Sequence, residues 1–144
     1  MKILCIMSTV LAVNALCQFS AAQSSLPNAT IQGTWVLSAQ KTGSRPMVDT
    51  SKSNKRKEIK LIVDGHFVWT AYDVKRRTPD TVGGGSYSLA GDSYVERLEF
   101  ASPSLAGYVG HEQRFTIKLD GDRLVQKGML SDGTELQEIW ERMR

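Results

Sequence analysis

Glu96, Gln126 and Glu138 are the residues of this chain whose types and positions invite chemistry. Each lies in a short run of alternating polarity, on the same parity as large apolar side chains. Tyr94, Glu96, Leu98 and Phe100 share one parity, and Leu136, Glu138, Trp140 and Arg142 share another. A carboxylate on such a face must be paired, solvated or met by a ligand, because burying an unpaired charge is costly. Three uses are open: a ligand-binding set, a closed structural network, or a general acid or base. In the structural alternative Arg142 would meet a carboxylate, Glu138 would meet Gln126, and Glu96 a tyrosine.

Other chemistry is excluded by residue type. His66 and His111 have no cysteine or carboxylate neighbours at metal-ligand spacing, so no metal is expected. Gly83–Gly85 lacks the Lys-Ser/Thr and helix of a phosphate loop and reads as a bend or bulge. No nucleophile or cofactor motif accompanies the carboxylates, so catalytic residues and cofactors are both expected to be none.

The elements that must position these groups are strands. Eight runs alternate with period two: Thr34–Gln40, Lys57–Ile62, His66–Tyr72, Gly85–Ala90, Ser93–Phe100, Arg114–Leu119, Arg123–Leu130 and Glu135–Met143. Turn signals at Asp64, Gly91, Asp120 and Ser131 separate them. A two-residue turn at Gly91–Asp92 puts Leu89 opposite Tyr94 and Tyr87 opposite Glu96. A three-residue loop at "SDG" puts Gln126 opposite Glu138 and Leu124 opposite Trp140. A two-residue turn at Asp120–Gly121 sets Ile117 against Leu124. At "VDG", a three-residue loop would send Phe67, Trp69 and Ala71 inward, and matching to Ile59 and Leu61 favours it over a two-residue loop. The predicted fold is all-β, an eight-stranded antiparallel up-and-down β-barrel, whose closure removes exposed edges. Three longer connections, Lys41–Arg56, Asp73–Gly84 and Ala101–Gln113, then share one end.

Residues 1–22 read as a cleaved secretory signal peptide. Lys2 precedes an apolar run from Ile3 to Leu16, and Ser20 and Ala22 fit a cleavage site. The run is short for a membrane span, and Leu16 before Cys17 does not suit a lipoprotein signal. A secreted or periplasmic protein without stable membrane insertion is expected, with a leader over 23–32 and a barrel domain over 33–144. Both cysteines, Cys5 and Cys17, belong to the signal peptide, so the mature domain must hold by its core alone. Asn28 begins a glycosylation sequon, relevant in a eukaryotic source. The chain carries +3, and removing Lys2 leaves 17 basic against 15 acidic residues, too mild to suggest nucleic acid.

In such a barrel Trp35 and Arg142 meet at one end, where a guanidinium stacks across an indole and caps the floor. Gly33-Thr34-Trp35 resembles the G-x-W signature of lipocalins and their calycin relatives, and Arg142 resembles their last-strand arginine. The wording "GTWVL…DGHFVWTAYD…GGGSYSLAGDSYVERLEF…FTIKLDGD…EIWERMR" resembles a group of bacterial secreted lipocalin-like proteins of unassigned function, over nearly the whole mature chain. The chain lacks the disulfides and C-terminal helix usual in animal lipocalins.

The leading functional expectation is a small amphipathic ligand held by Trp69, Tyr87, Tyr94, Glu96, Phe115, Leu124, Gln126 and Glu138. The alternatives are an interaction or inhibitor module acting through rim loops, and a barrel enzyme using Glu96 or Glu138. Charge refines the first. The segment 41–58 carries a net +4 and 73–80 a net +1. Lys55, Arg56, Lys57, Lys75, Arg76 and Arg77 would therefore sit at the open mouth and favour a ligand with an anionic head.

Overall fold

Alternation forces half of each strand inward, and the resulting sheet closes on itself. The computed structural model describes residues 30–144. The expected signal peptide, Cys5, Cys17 and Asn28 lie outside the described residues. The strands are β1 (Gly33–Thr42), β2 (Val48–Asp49), β3 (Arg56–Val63), β4 (His66–Asp73), β5 (Thr78–Ala90), β6 (Ser93–Ala101), β7 (Glu112–Asp120), β8 (Arg123–Met129) and β9 (Glu135–Arg142). A 3-10 helix, Pro103–Tyr108, bridges β6 and β7. Leaving out β2, eight strands follow one another antiparallel, and β1 pairs with β9 to close the barrel. The two-residue β2 pairs with β1 beyond the end of β3.

Two hairpins have the expected register. Leu89 faces Tyr94 and Tyr87 faces Glu96, while Gln126 faces Glu138 and Leu124 faces Trp140. The β7–β8 turn differs: Asp120 faces Arg123, so Leu119 rather than Ile117 meets Leu124. A slip of two residues preserves parity, so the inward set is unchanged.

The β3–β4 hairpin corrects the expectation more deeply. Val63 pairs with His66 across a two-residue turn, with φ of 45° at Asp64 and 78° at Gly65. Phe67, Trp69 and Ala71 still face inward, but opposite Ile62, Lys60 and Glu58. Ile59 and Leu61 take the outer parity, and Leu61 is 45% exposed. Matching apolar residues alone chose the wrong face of β3.

The expected connection over Asp73–Gly84 is also mostly strand, because β5 begins at Thr78 after the turn 74–77. Pro79 and three successive glycines hide it from any alternation rule. Register shifts at Ala71/Tyr72 and Gly84/Gly85 mark bulges, the second where the glycine run had suggested one. A side chain at Gly85 would lie 2.0 Å from the Arg97 carbonyl oxygen, so only glycine admits this close approach.

The core fills the closed end. Trp35, Ile62, Phe67, Tyr94 and Leu124 are buried there with Ile31, which crosses the floor ahead of β1. Full burial of each such side chain stabilises the fold by roughly 1.5–3 kcal/mol.

Candidate functional site

The floor is built around the first and last strands. Trp35 pairs with Arg142, whose guanidinium centre lies 4.2 Å from the indole centroid. The same guanidinium donates to the carbonyls of Thr30 and Gln32, both at 2.7 Å, and stands 3.4 Å from Asp122. Trp35 Nε1 donates to the Ile31 carbonyl at 2.8 Å. Gly33 has φ of 142°, and a Cβ there would come within 2.5 Å of Arg142. The glycine of G-x-W is thus what lets the arginine reach across.

Above this floor the barrel holds a cavity of about 280 Å³. Trp69, Phe115, Trp140, Leu98 and Leu136 supply apolar wall, and Leu105 and Tyr108 of the 3-10 helix lie at its entrance. Tyr108 is held there by donating its hydroxyl hydrogen bond to Asp132 at 2.6 Å. That bond raises the Tyr108 phenol pKa and lowers that of the Asp132 carboxyl.

Lys60 organises the polar part of the cavity. Its ammonium lies 2.6 Å from Glu96 Oε1 and donates also to Gln126 Oε1 at 3.2 Å. Its Nζ is 5.1 Å from the Trp140 ring centroid, 5.7 Å from that of Phe67 and 5.9 Å from that of Tyr94. The side chain is 2% exposed, so the ion pair stands in a low dielectric and depends on its hydrogen bonds. Glu138 accepts from Gln40 Nε2 at 3.0 Å and from Trp140 Nε1 at 3.1 Å. Burial pushes its pKa up, against the pull of Lys60. Glu58 is driven up to about 7, chiefly by burial and then by the charge of Glu138, with Arg56 and Lys60 opposing. Tyr94 keeps its hydroxyl buried, without a hydrogen-bond partner among the described residues. Burial, then the Glu96 charge, raises its phenol.

Of the residues read from sequence as ligand contacts, Trp69, Glu96, Phe115, Gln126 and Glu138 line the cavity. Tyr87, Tyr94 and Leu124 do not. Tyr94 and Leu124 are packed into the floor, and Tyr87 packs against Tyr94 with the rings tilted by 48° and centroids 5.3 Å apart. Among the six rim cations only Arg56 lines the cavity. Arg56 stands 3.4 Å from Glu58 and 3.8 Å from Asp80. Lys55, Lys57, Lys75, Arg76 and Arg77 are at the same end but exposed, and Arg76 pairs with Asp73. Lys60 and Glu58 were missed altogether. The signal that reaches them is the Asp64–Gly65 dipeptide taken as a two-residue turn, which fixes the parity of β3 whatever its hydropathy.

A closed eight-stranded antiparallel barrel, floored by a Gly-x-Trp entry strand and a stacked arginine, is a lipocalin-like fold. The chain is similar in structure to a lipocalin-like protein from Bacteroides uniformis ATCC 8492, with TM-score 0.54 and 16% identity over 78% of this chain and 97% of that one. It is similar also to an uncharacterized protein from Bacteroides eggerthii DSM 20697, with TM-score 0.53 and 15% identity over 78% and 98%. A redesigned β-barrel gives TM-score 0.51 and 16% identity over 78% and 91%. No protein-family model and no curated protein matches the chain.

Proposed function

We propose that this protein acts outside the cytoplasm, secreted or periplasmic, and binds a small amphipathic molecule in its barrel. The observation that carries the reading is the cavity itself. Its volume of about 280 Å³ is at the small end of ligand pockets, and its lining combines apolar wall with a few convergent polar groups. Phe115, Leu98 and Leu136 would cover the apolar body of the ligand, and Glu58, Glu138 and Gln113 would meet its polar end beside the rings of Trp69 and Trp140. Catalysis by Glu96 or Glu138 is the weaker reading, since Lys60 holds the first and two donors hold the second. Among the described residues no helix is long and apolar enough to cross a membrane.

Trp69 and Trp140 provide the test. Short-chain amphiphiles of eight to ten atoms should change tryptophan fluorescence saturably with one-to-one stoichiometry, and native mass spectrometry should show one added ligand. Trp69→Leu should weaken binding by about 1–2 kcal/mol, the order of one lost aromatic contact. If no amphiphile in such a panel saturates the signal or adds mass, the binding reading is wrong.

A further inference from the structure

The ionisable groups lining the cavity do not balance. Glu58, Glu96 and Glu138 face Lys60 and Arg56. Lys60 is committed to Glu96 at 2.6 Å. Arg56 has a side chain 47% exposed and lies between Glu58 and Asp80. Among the described residues the hydrogen bonds that Glu138 accepts come from neutral donors, Gln40 and Trp140. Glu58 is 8% exposed, lines the cavity, and accepts no hydrogen bond among the described residues. A buried carboxyl in this position either keeps a proton or attracts a cation.

We infer that the polar end of the ligand is a cation, an organic ammonium group received by Glu58 and Glu138 and flanked by the rings of Trp69 and Trp140. This rests on the reading that the barrel binds a small amphiphile. Each ingredient has a physical reason. Carboxylates of opposite charge in a dry site attract the ammonium strongly, and an indole face adds cation–π attraction without needing hydrogen bonds. Gln40 and Thr42, also on the wall, are neutral and leave the charge uncancelled. An anionic head would instead meet three carboxylates, and of the two cations in the lining Lys60 is paired with Glu96 while Arg56 stands between Glu58 and Asp80. The other five rim cations are exposed and lie outside the lining, so they act on such a head through screened solvent, where attraction fades over about 8–10 Å. The lumen thus overrules the anionic preference that the rim suggests.

Proton and ligand then compete for the same carboxyls. The groups facing Glu58 are Arg56 and Lys60 on its own strand, Glu138 on β9, Glu96 on β6 and Asp80 on β5, near Arg56. Because Glu58 holds its proton up to about 7, ammonium affinity should rise about tenfold between pH 6 and 8 through one displaced proton. Neutral amphiphiles should show no such rise.

Octylammonium, octanol and octanoate, matched in length, separate the possibilities when titrated by calorimetry and tryptophan fluorescence at pH 8. The expected order is octylammonium tightest by about tenfold or more over octanol, with octanoate weakest. In Glu58→Gln and Glu138→Gln, checked for folding by circular dichroism, the ammonium-to-alcohol ratio should fall toward one. Equal binding of octanol and octylammonium, a preference for octanoate, or a ratio unchanged in both variants overturns the cation inference while the binding reading stands. Failure of all three probes to bind overturns both.

Discussion

Replacing Lys60 by Met tests whether the buried ion pair has the role the geometry gives it. Met retains most of the apolar stem, so the change leaves little cavity and isolates the charge. The ammonium it removes lies 2.6 Å from Glu96, with the lysine 2% exposed. Removing one partner of such a pair typically costs about 3–5 kcal/mol, because the other charge stays buried and uncompensated. The lost bond to Gln126 is worth about 1 kcal/mol more, although neighbouring terms do not simply add. Against a usual domain stability of about 5–15 kcal/mol, that is a large share. Lys60→Met/Glu96→Gln removes both charges and should recover much of the loss, leaving the double variant more stable than Lys60→Met alone. Urea unfolding at pH 7, followed by circular dichroism and tryptophan fluorescence, measures all four corners of the cycle. A loss below about 1 kcal/mol for Lys60→Met, or a double variant less stable than either single one, would refute the buried-pair argument.

Three further outcomes are expected. Gly33→Ala should destabilise the fold by about 1–3 kcal/mol, from strain at φ 142° and collision with Arg142; Arg142→Ala should cost a similar amount, and unchanged urea midpoints for both would remove the floor's structural role. Glu58 has a folded pKa raised from 4.5 to about 7, so its contribution to stability falls as pH rises through that window, by at most about 3 kcal/mol. Glu58→Gln should therefore flatten the decline in urea midpoint between pH 5 and 8 and raise stability at pH 8; an unaltered profile would assign the titration elsewhere. Tyr108→Phe breaks the bond to Asp132 that holds the 3-10 helix at the mouth. Amide exchange over residues 102–111 should accelerate with little change in global stability, and no acceleration would show that other contacts hold the helix.

Much of the barrel was written locally. Where a turn type and an apolar alternation agree, as in β5–β6 and β8–β9, sequence alone placed Tyr87 against Glu96 and Gln126 against Glu138, because register needs only the turn and the buried parity. Gly33, Trp35 and Arg142 were legible for a related reason: up-and-down closure must bring the first and last strands together. Three things needed the closed structure. Apolar matching outvoted the turn in β3 because the inward face carries Lys60, whose burial is possible only because Glu96, far along the chain, supplies the opposite charge; hydropathy treats each residue alone and has no term for that partner. The length of β5 was hidden by Pro79 and Gly83–Gly85, which have no side-chain alternation to read. Depth was the third. Parity says that Tyr94, Leu124, Glu96 and Glu138 all point inward, but stagger between strands decides which of them lie in the packed floor and which reach the cavity. Sequence therefore determined the barrel, its floor and most of its inward faces. Closure decided where the cavity lies and which charges in it remain unpaired, since both depend on side chains brought together from distant strands.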